Sequence, residues 1–305
     1  MSEAISEAIA ATPGGVTVNR MTFGRWMREI GWRHLVGVAG VIFALYPVVW
    51  IISAAFNRVQ TLTAARLIPR EVTTDNFTGL FGNPTVPFPN WITNSYKVAL
   101  AAAFLTVLLA SFAGYAFSRL RFRGRRAGLL SLLLVQVFPV FLAFIALFLL
   151  AQQVGEVFPA VGLGTHLFLI MVYLGGAIGF DVFLIKGFMD TIPASLDESA
   201  RVDGAGHFQI FWRIIFPLSR PVLAVIFIIT FTSVFAEIIL ASTLLTSSNQ
   251  FTLAVGLNLF ISSEYSAKWG TIAAAALIGA FPIVLTFLVA QRHIIGGLTQ
   301  GAVKG

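Results

Sequence analysis

The sequence contains no cysteine and very little charge. Of its 305 residues, only 11% are charged, whereas 57% are hydrophobic. The absence of cysteine excludes a disulfide framework and a thiolate metal site. Ordinary soluble domains carry about 25% charged residues, so this chain has too little charge to solvate a globular surface. The shortage of charge therefore indicates a protein whose main solvent is lipid.

Sequence motifs of several nucleotide-binding and enzyme classes are also absent. No glycine-rich stretch ends in Gly-Lys-Ser or Gly-Lys-Thr, so we expect no P-loop for ATP. No Gly-x-Ser-x-Gly elbow of a hydrolase occurs. The histidines lie in separate segments without metal-ligand spacing; they are His34, His166, His207 and His293. We expect a protein that is not an enzyme, binds no metal and holds no cofactor in this chain.

Long apolar runs recur along the chain. A helix needs roughly 20 apolar residues to cross a hydrocarbon core, and a helix satisfies its own backbone groups there, unlike an open sheet. The sequence predicts an all-α polytopic membrane protein with six spanning helices within residues 34–294. Their approximate positions are 34–56, 98–117, 127–150, 166–188, 221–246 and 271–294. Pro139 and Pro282 are expected to kink or break the third and sixth spans.

The net charge of +7 is explained by membrane topology rather than by nucleic-acid binding. Loops with clustered Lys and Arg stay cytoplasmic. The clearest cluster follows the second span and consists of Arg119, Arg121, Arg123, Arg125 and Arg126. We therefore expect residues 1–33 and the tail 295–305 to be cytoplasmic, and residues 57–96 to form an irregular external segment.

Residues 192–217 form a charged segment in an otherwise apolar chain. Ser195 and Glu198 have the spacing of a capping box, which predicts a helix from about Leu196. Gly204 is typical of a left-handed helix end, and Pro217 is expected to end a second helix that starts near residue 207. Two interpretations fit this pattern: a solvated loop, or a short helix that docks into a partner's groove.

This segment resembles the EAA signature of permease subunits in binding-protein-dependent ABC importers. The matching positions are Glu198, Ser199, Ala200, Gly204, Ile214, Phe216 and Pro217. Ser199 and Phe216 depart from the Ala and Leu of that signature. The resemblance implies that the segment forms coupling helices that dock on an ATPase. The implied coupling residues are Glu198, Ser199, Ala200, Asp203, Gly204, Ile214 and Pro217.

Three more stretches are similar to the MalG-type permeases, the smaller of the two permeases in maltose-type sugar importers. They are AFSRLRFRGRR (116–126), FTLAVGLNLF (251–260) and AQRHIIGGLTQGAVKG (290–305). With the EAA segment they cover most of residues 92–305. The resemblance implies the type I (MetI-like) permease fold, a location in the bacterial inner membrane, and ATP-driven alternating access for maltose, maltodextrin or a related oligosaccharide such as trehalose.

The same resemblance implies partners and two further contact regions. The partners are a companion MalF-like permease, an ATPase dimer that binds ATP and Mg, and an extracytoplasmic sugar-binding protein. The implied contacts with the binding protein are Asn249, Gln250, Phe251 and Thr252. The implied ATPase contacts in the tail are Gly297, Gln300 and Lys304.

Polar residues within the spans are functional candidates by default. Glu237, Ser233 and Thr230 have helical spacing that predicts one shared face in the fifth span. That face either lines the substrate path or holds helices together, and Asp181 in the fourth span raises the same question. Two rival functions use these groups: an ATPase-independent secondary transporter with Asp181 or Glu237 as ion site, or a polytopic membrane enzyme. Gly175 and Gly179 predict close helix packing.

Overall fold

The computed structural model describes residues 22–58, 66–82, 86–262 and 268–302. The chain divides into two compact units, Met1–Trp50 and Ile51–Gly305. Short helical turns precede the first long helix. The helices used below are α1 (Trp32–Ala55), α2 (Asp75–Gly82), α3 (Phe88–Arg119), α4 (Arg125–Val137), α5 (Phe144–Val157), α6 (His166–Asp190), α7 (Ala194–Val202), α8 (His207–Leu218), α9 (Arg220–Phe235), α10 (Ile239–Leu244), α11 (Leu253–Ser262) and α12 (Trp269–Ala302).

Within the described residues, four helices are long and apolar enough to cross a membrane. They are Gly24–Ala55, which includes α1, then α3, α6 and the Trp269–Val289 part of α12. The pair α8 and α9 is bent by 74° and makes a fifth span if counted as one. The prediction of a helical polytopic membrane protein is confirmed, but two of the six predicted spans are divided.

The predicted third span is not a single helix. α4 ends at Val137, a 3-10 turn covers Val140–Ala143, and α5 begins at Phe144. Pro139 lies at the interruption, where its ring and its missing N–H prevent a regular helix. The predicted break at this proline is confirmed, whereas Pro282 lies inside α12 without ending it.

The predicted fifth span, 221–246, is also wrong as one helix. α9 ends at Phe235 and α10 begins at Ile239. The interruption contains Glu237, whose carboxylate accepts hydrogen bonds from the first turn of α10. Backbone groups freed inside an apolar region need such partners, so this side chain allows the helix to break there.

The segment predicted to be irregular, 57–96, contains much helix. α2 lies within it, and α3 begins at Phe88, well before the predicted start at 98. Pro89 lies in the first turn of α3, where a missing N–H costs no helical hydrogen bond. With 32 residues, α3 is about 48 Å long at a rise of ~1.5 Å per residue.

The second unit is built around the packing of α3 against α6 and α9. Small residues let α3 approach its neighbours closely: a Cβ on Gly114 would lie 2.7 Å from Ile185 Cγ2 of α6. On α6, a Cβ at Gly179 would meet Leu132 O of α4 at 2.6 Å. The predicted close packing is therefore found at Gly179, whereas Gly175 has no atom within 4 Å of the corresponding position.

Candidate functional site

The first helix of the charged segment begins earlier than its sequence pattern predicts. α7 starts at Ala194, directly after Pro193, and no side-chain cap is formed at Pro193. Because Ser195 already lies inside the first turn, it is not at the position from which a serine caps a helix. The predicted capping box with Glu198 is therefore wrong, although a helix is present.

The end of α7 is a glycine turn of the predicted kind. Gly204 has a φ of +84°. The Ala205 N–H donates to Ala200 O at 2.9 Å, and the Gly204 N–H donates to Arg201 O at 3.0 Å. This pair of bonds is the Schellman arrangement, which satisfies carbonyls at a helix end. The following helix, α8, ends at Leu218, one residue beyond Pro217.

The predicted coupling residues divide between two faces. Glu198, Ser199, Asp203 and Gly204 are exposed, and Val202 beside them is apolar yet 89% exposed. The remaining residues of the signature are partly buried: Ala200, Ile214 and Pro217. Ala200 and Ile214 pack against the core that contains Ile210, Ile215 and Met189. One part of the signature thus holds the segment to the protein, and the other part faces outward.

A buried ion pair joins α7 to the C-terminal end of α3. Arg119 Nε lies 2.7 Å from Asp197 Oδ2, and the two side chains are only 10% and 5% exposed. Arg119 Nη2 also donates to Ile192 O at 2.7 Å. Buried charges are stable in a protein when they are paired, so this contact fixes the inward face of α7 on α3.

Further contacts surround this ion pair. Ser118 Oγ donates to Asp190 Oδ1 at 2.7 Å, and Lys186 pairs with the same carboxylate. The Tyr115 hydroxyl donates to His207 O at 3.2 Å, which connects α3 to the start of α8. We call Tyr115, Ser118 and Arg119, with their partners on the segment 186–207, the α7 anchor.

The opposite end of α3 holds the loop between α10 and α11. Trp91 Nε1 donates to Ser248 O at 2.8 Å. Asn94 Nδ2 donates to Asn249 O at 2.8 Å and to Phe251 O at 3.1 Å. The Leu253 N–H donates to Ser95 Oγ at 2.7 Å. These bonds fix the backbone of residues 248–253.

The side chains of this loop differ in exposure. Asn249 is exposed, Gln250 and Phe251 are partly buried, and Thr252 is only 2% exposed. His166 Nε2 lies 2.7 Å from Gln250 O. Thr252 has no surface for a partner, so a partner would meet Asn249 and its exposed neighbours Ser247 and Ser248.

Glu237 binds backbone and side-chain donors at the break between α9 and α10. The N–H groups of Leu240 and Ala241 donate to its carboxylate oxygens at 2.8 and 3.0 Å. The Tyr173 hydroxyl donates to Oε2 at 2.6 Å. This geometry gives the carboxylate a structural task, because it caps α10 and ties it to α6.

The predicted shared face of Glu237, Ser233 and Thr230 is not present. Glu237 lies beyond the end of α9, Ser233 is exposed and Thr230 is 6% exposed. Thr230 instead lies beside Asp181 of α6, which is 7% exposed. Helical spacing predicted one face because it assumed a continuous helix.

The predicted ATPase-contacting tail continues α12. Gly297 and Gln300 lie within this helix, which extends to Ala302. Lys304 lies outside the described residues.

Several residues of these sites carry no recognisable signal in the sequence. Arg119 is one of five arginines in a topogenic cluster, and Asp197 is one of several carboxylates. Trp91 and Asn94 lie in a segment predicted to be irregular. Their partners lie far away in sequence, so local patterns do not reveal the contacts. The only usable hint is that Asp197 would fall on the inward side of α7 by helical periodicity.

Apolar spanning helices, a helix–glycine–helix segment and a long buried helix are the features of a polytopic membrane protein. The chain belongs to the family described as "Binding-protein-dependent transport system inner membrane component", which matches residues 106–297. Its inner-membrane location and its class as a transport permease subunit follow from this membership. The resemblance of the sequence to MalG-type permeases is confirmed by the relatives below.

Two curated relatives show how far the similarity extends. The chain is 39% identical over 265 residues to the galactooligosaccharides transport system permease protein GanQ of Bacillus subtilis (strain 168), covering 87% of this chain and 92% of that protein. It is 38% identical over 297 residues to the maltose/maltodextrin transport system permease protein MalG of Vibrio vulnificus (strain YJ016), covering 93% and 99%.

Two solved structures share the fold. One is the crystal structure of a bacterial ABC transporter involved in the import of the acidic polysaccharide alginate, with a TM-score of 0.73 at 23% identity over 89% of this chain and 98% of that chain. The other is a bacterial alginate ABC transporter in complex with an alginate pentasaccharide-bound periplasmic protein, with a TM-score of 0.63 at 17% identity, covering 87% and 95%. The predicted permease fold is confirmed. Family membership favours an ABC permease over the secondary-transporter alternative.

Proposed function

We propose that this chain is one transmembrane half of an ATP-driven importer for maltose, maltodextrin or a related oligosaccharide. A companion MalF-like permease forms the other half, an ATPase dimer binds ATP and Mg, and an extracytoplasmic binding protein delivers the sugar. The permeases GanQ and MalG, both named for oligosaccharide transport, support this substrate class. The observation that carries the proposal is the exposed face of α7, held in place by the α7 anchor.

The exposed face of α7 is the ATPase-docking surface in this proposal. A nine-residue helix is marginal in water by itself, yet α7 is fixed from behind by the Arg119–Asp197 pair. Its free face combines a carboxylate, Glu198, a small side chain, Ser199, and an apolar side chain, Val202. This mixture fits a groove with an apolar floor and a polar rim. Glu198 and Asp203 orient the helix in that groove.

Orientation and the remaining contacts follow from this assignment. α7 and both chain termini lie on the cytoplasmic side, and the loop 247–252 lies on the opposite side. Asn249 meets the sugar-binding protein. The tail residues Gly297 and Gln300 of α12, together with Lys304 beyond the described residues, meet the ATPases. ATP and the loaded binding protein each shift the permease between inward-open and outward-open states. Each does so only through contacts that differ between these states.

A cysteine crosslink tests the docking surface. The chain has no native cysteine, so Ser199→Cys introduces one reactive thiol on the exposed face of α7. Membranes from cells that co-express the complete transporter are treated with a short thiol-to-amine crosslinker. We expect capture of the ATPase subunit, with a yield that changes when nucleotide is added. Ser247→Cys, on the opposite loop, is the matched control and should not capture the ATPase.

The proposal predicts which results would contradict it. If Ser199→Cys reacts with a soluble maleimide but captures no ATPase, the exposed face of α7 is not the docking surface. Uptake of radiolabelled maltose, maltotriose, trehalose and a galactooligosaccharide by the same cells tests the substrate class. Uptake of none of them would reject the proposed oligosaccharide substrates.

A further inference from the structure

α3 contacts both surfaces that the proposed function assigns to partners, through an ion pair at one end and through hydrogen bonds at the other. At its C-terminal end, Arg119 pairs with Asp197 of α7 at 2.7 Å, and the Tyr115 hydroxyl donates to His207 O of α8. At its N-terminal end, Trp91 and Asn94 hold the backbone of the loop 247–252. One helix therefore contacts both candidate docking regions.

The helix between these two ends has no interruption. α3 runs for 32 residues from Phe88 to Arg119. By contrast, α9 is bent by 74° from α8 and stops at Phe235 before Glu237. The α4–α5 region is interrupted around Pro139. An uninterrupted helix transmits a displacement along its axis because its backbone bonds are already closed and its length does not change.

Packing along α3 makes it rigid rather than free to slide past its neighbours independently. Its inward residues are fully buried: Ala99, Ala102 and Ala103 near its middle, and Ala110 nearer its C-terminal end. Gly114 lies so close to Ile185 that an added Cβ would meet the Ile185 side chain at 2.7 Å. Such close packing has low compressibility and moves as a unit.

The way α3 is attached to α7 distinguishes it from α6. α6 leads into α7 through the chain itself, after Asp190. α3 is joined to α7 through side chains, and among the described residues the buried Arg119–Asp197 pair is the salt bridge between these two helices. Removal of one partner from a buried pair leaves an uncompensated charge. The pair is therefore the direct charged link from α7 to α3, beside the indirect link through α6, which packs on α3 and whose His166 contacts Gln250 O.

We propose that α3 is a strut that transmits movement of α7 to the loop 247–252, and that Arg119, Asp197 and Asn94 are its positioning residues. The proposal rests on the proposed function, in which α7 docks on the ATPase and the loop meets the binding protein. It adds a path for the movement. Displacement of α7 by the ATPase moves α3 through Arg119, and α3 then moves the loop through Asn94. In return, docking of the loaded binding protein at the loop displaces α7.

A fluorescent reporter on the loop tests this path. Ser247→Cys is labelled with an environment-sensitive fluorophore in the complete transporter reconstituted in vesicles, and the signal change on adding a non-hydrolysable ATP analogue is recorded. In the Asp197→Asn and Asn94→Ala backgrounds, we expect this change to fall by about fivefold or more, the size of an ordinary allosteric coupling. The double variant Asp197→Asn/Asn94→Ala should lose no more than either single variant, because both interrupt the same path.

Matched controls separate the path from general damage. Glu71→Gln makes the same type of change in the exposed Arg58–Glu71 pair and should leave the signal at the wild-type value. Arg119→Lys keeps a positive charge but lacks the fork that reaches both Asp197 and Ile192 O, so we expect an intermediate signal. If Asp197→Asn fails to assemble with the ATPase, Arg119→Lys and Asn94→Ala still provide the comparison.

The outcomes distinguish the two proposals. If no ATPase is present in the complex, the proposed function fails. If the ATPase is present but the wild-type reporter does not respond to nucleotide, the strut is rejected and the proposed function stands. If the wild-type reporter responds and the assembled variants respond equally, the proposed function stands and the strut is rejected. Losses that add up in the double variant would also reject it, because they would indicate two separate paths.

Discussion

At the residue scale, the acidic side chains of the apolar region, Glu237 and Asp181, have structural roles. Glu237 accepts two backbone N–H groups and the Tyr173 hydroxyl. Asp181 lies beside Thr230 of the neighbouring helix. Glu237 therefore joins α10 to α6 and gives acceptors to polar groups that would otherwise have no partner in an apolar setting. This arrangement differs from that of an ion-binding site, in which several ligand atoms converge on one open position.

The role of Glu237 leads to a prediction about stability. Glu237→Ala leaves the first N–H groups of α10 without their acceptor, so we expect the stability to fall by about 1–3 kcal/mol. Tyr173→Phe removes one hydrogen bond and should cost about 1 kcal/mol. Thermal unfolding of the purified protein in detergent measures both changes. Glu156→Gln, at an exposed position of α5, is the control.

Transport separates this structural role from an ion-coupling role. Glu237→Gln retains one carbonyl oxygen as acceptor, and uptake of sugar should therefore persist at a reduced level of folded protein. Complete loss of uptake by a stable, fully assembled Glu237→Gln transporter would indicate that the charge itself takes part in transport.

At the scale of secondary-structure elements, helix interruptions and close approaches position the two regions that are proposed to bind partners. α7 is a short helix with one face on α3 and the other exposed, and it is ended by the turn at Gly204. The loop 247–252 lies between α10 and α11 in the chain, and Gly256 of α11 packs against Trp91 of α3. Trp91 thus has two tasks, since it fills the space beside Gly256 and holds Ser248 O.

The contact between α11 and α3 predicts a sensitive glycine. A Cβ on Gly256 would lie 2.1 Å from the Trp91 ring, so Gly256→Ala requires the ring or α11 to shift. We expect a loss of about 1–3 kcal/mol, the usual cost of overpacking, measured by thermal unfolding. Gly79→Ala in α2 is the control, because no atom lies within 4 Å of its added Cβ. Equal stability of the two variants would contradict the tight contact at Trp91.

At the scale of the whole molecule, the proposed orientation places the two partner-facing regions on opposite sides of the membrane. The arginine cluster that follows α3 favours the cytoplasmic side for α7. The 32 residues of α3 exceed the roughly 20 needed to cross the hydrocarbon core. The helix is thus long enough to cross the hydrocarbon core with the α7 anchor outside one face of the core and the loop contacts outside the other.

This orientation is tested by thiol accessibility. Arg123→Cys, in the loop after α3, should be labelled by a membrane-impermeant maleimide only in inside-out vesicles. Ser247→Cys should be labelled in intact spheroplasts. Labelling of both positions from the same side would contradict the assigned topology. A thiol that is labelled only after denaturation would identify a position buried against a partner.

The amino-acid sequence by itself determined the class of the protein and the location of its charged segment. Low charge, long apolar runs and clustered arginines are properties of composition, and the left-handed turn at Gly204 needs only one residue without a side chain. The resemblance of the EAA-like segment and of three further stretches to known permeases also indicated the permease family. These features are local, so they can be read along the chain.

Only the tertiary structure decided the break at Glu237, the burial of Thr252 and the pairing of Arg119 with Asp197. Each of these depends on residues far apart in sequence: Tyr173 with Glu237, Trp91 with Ser248, and the end of α3 with α7. The early start of α3 and the missing cap at Ser195 also show that sequence patterns do not fix helix ends. Both helices begin next to a proline, at a position other than the predicted one. Contacts across helices, rather than local propensity, set which face of each helix is free for a partner.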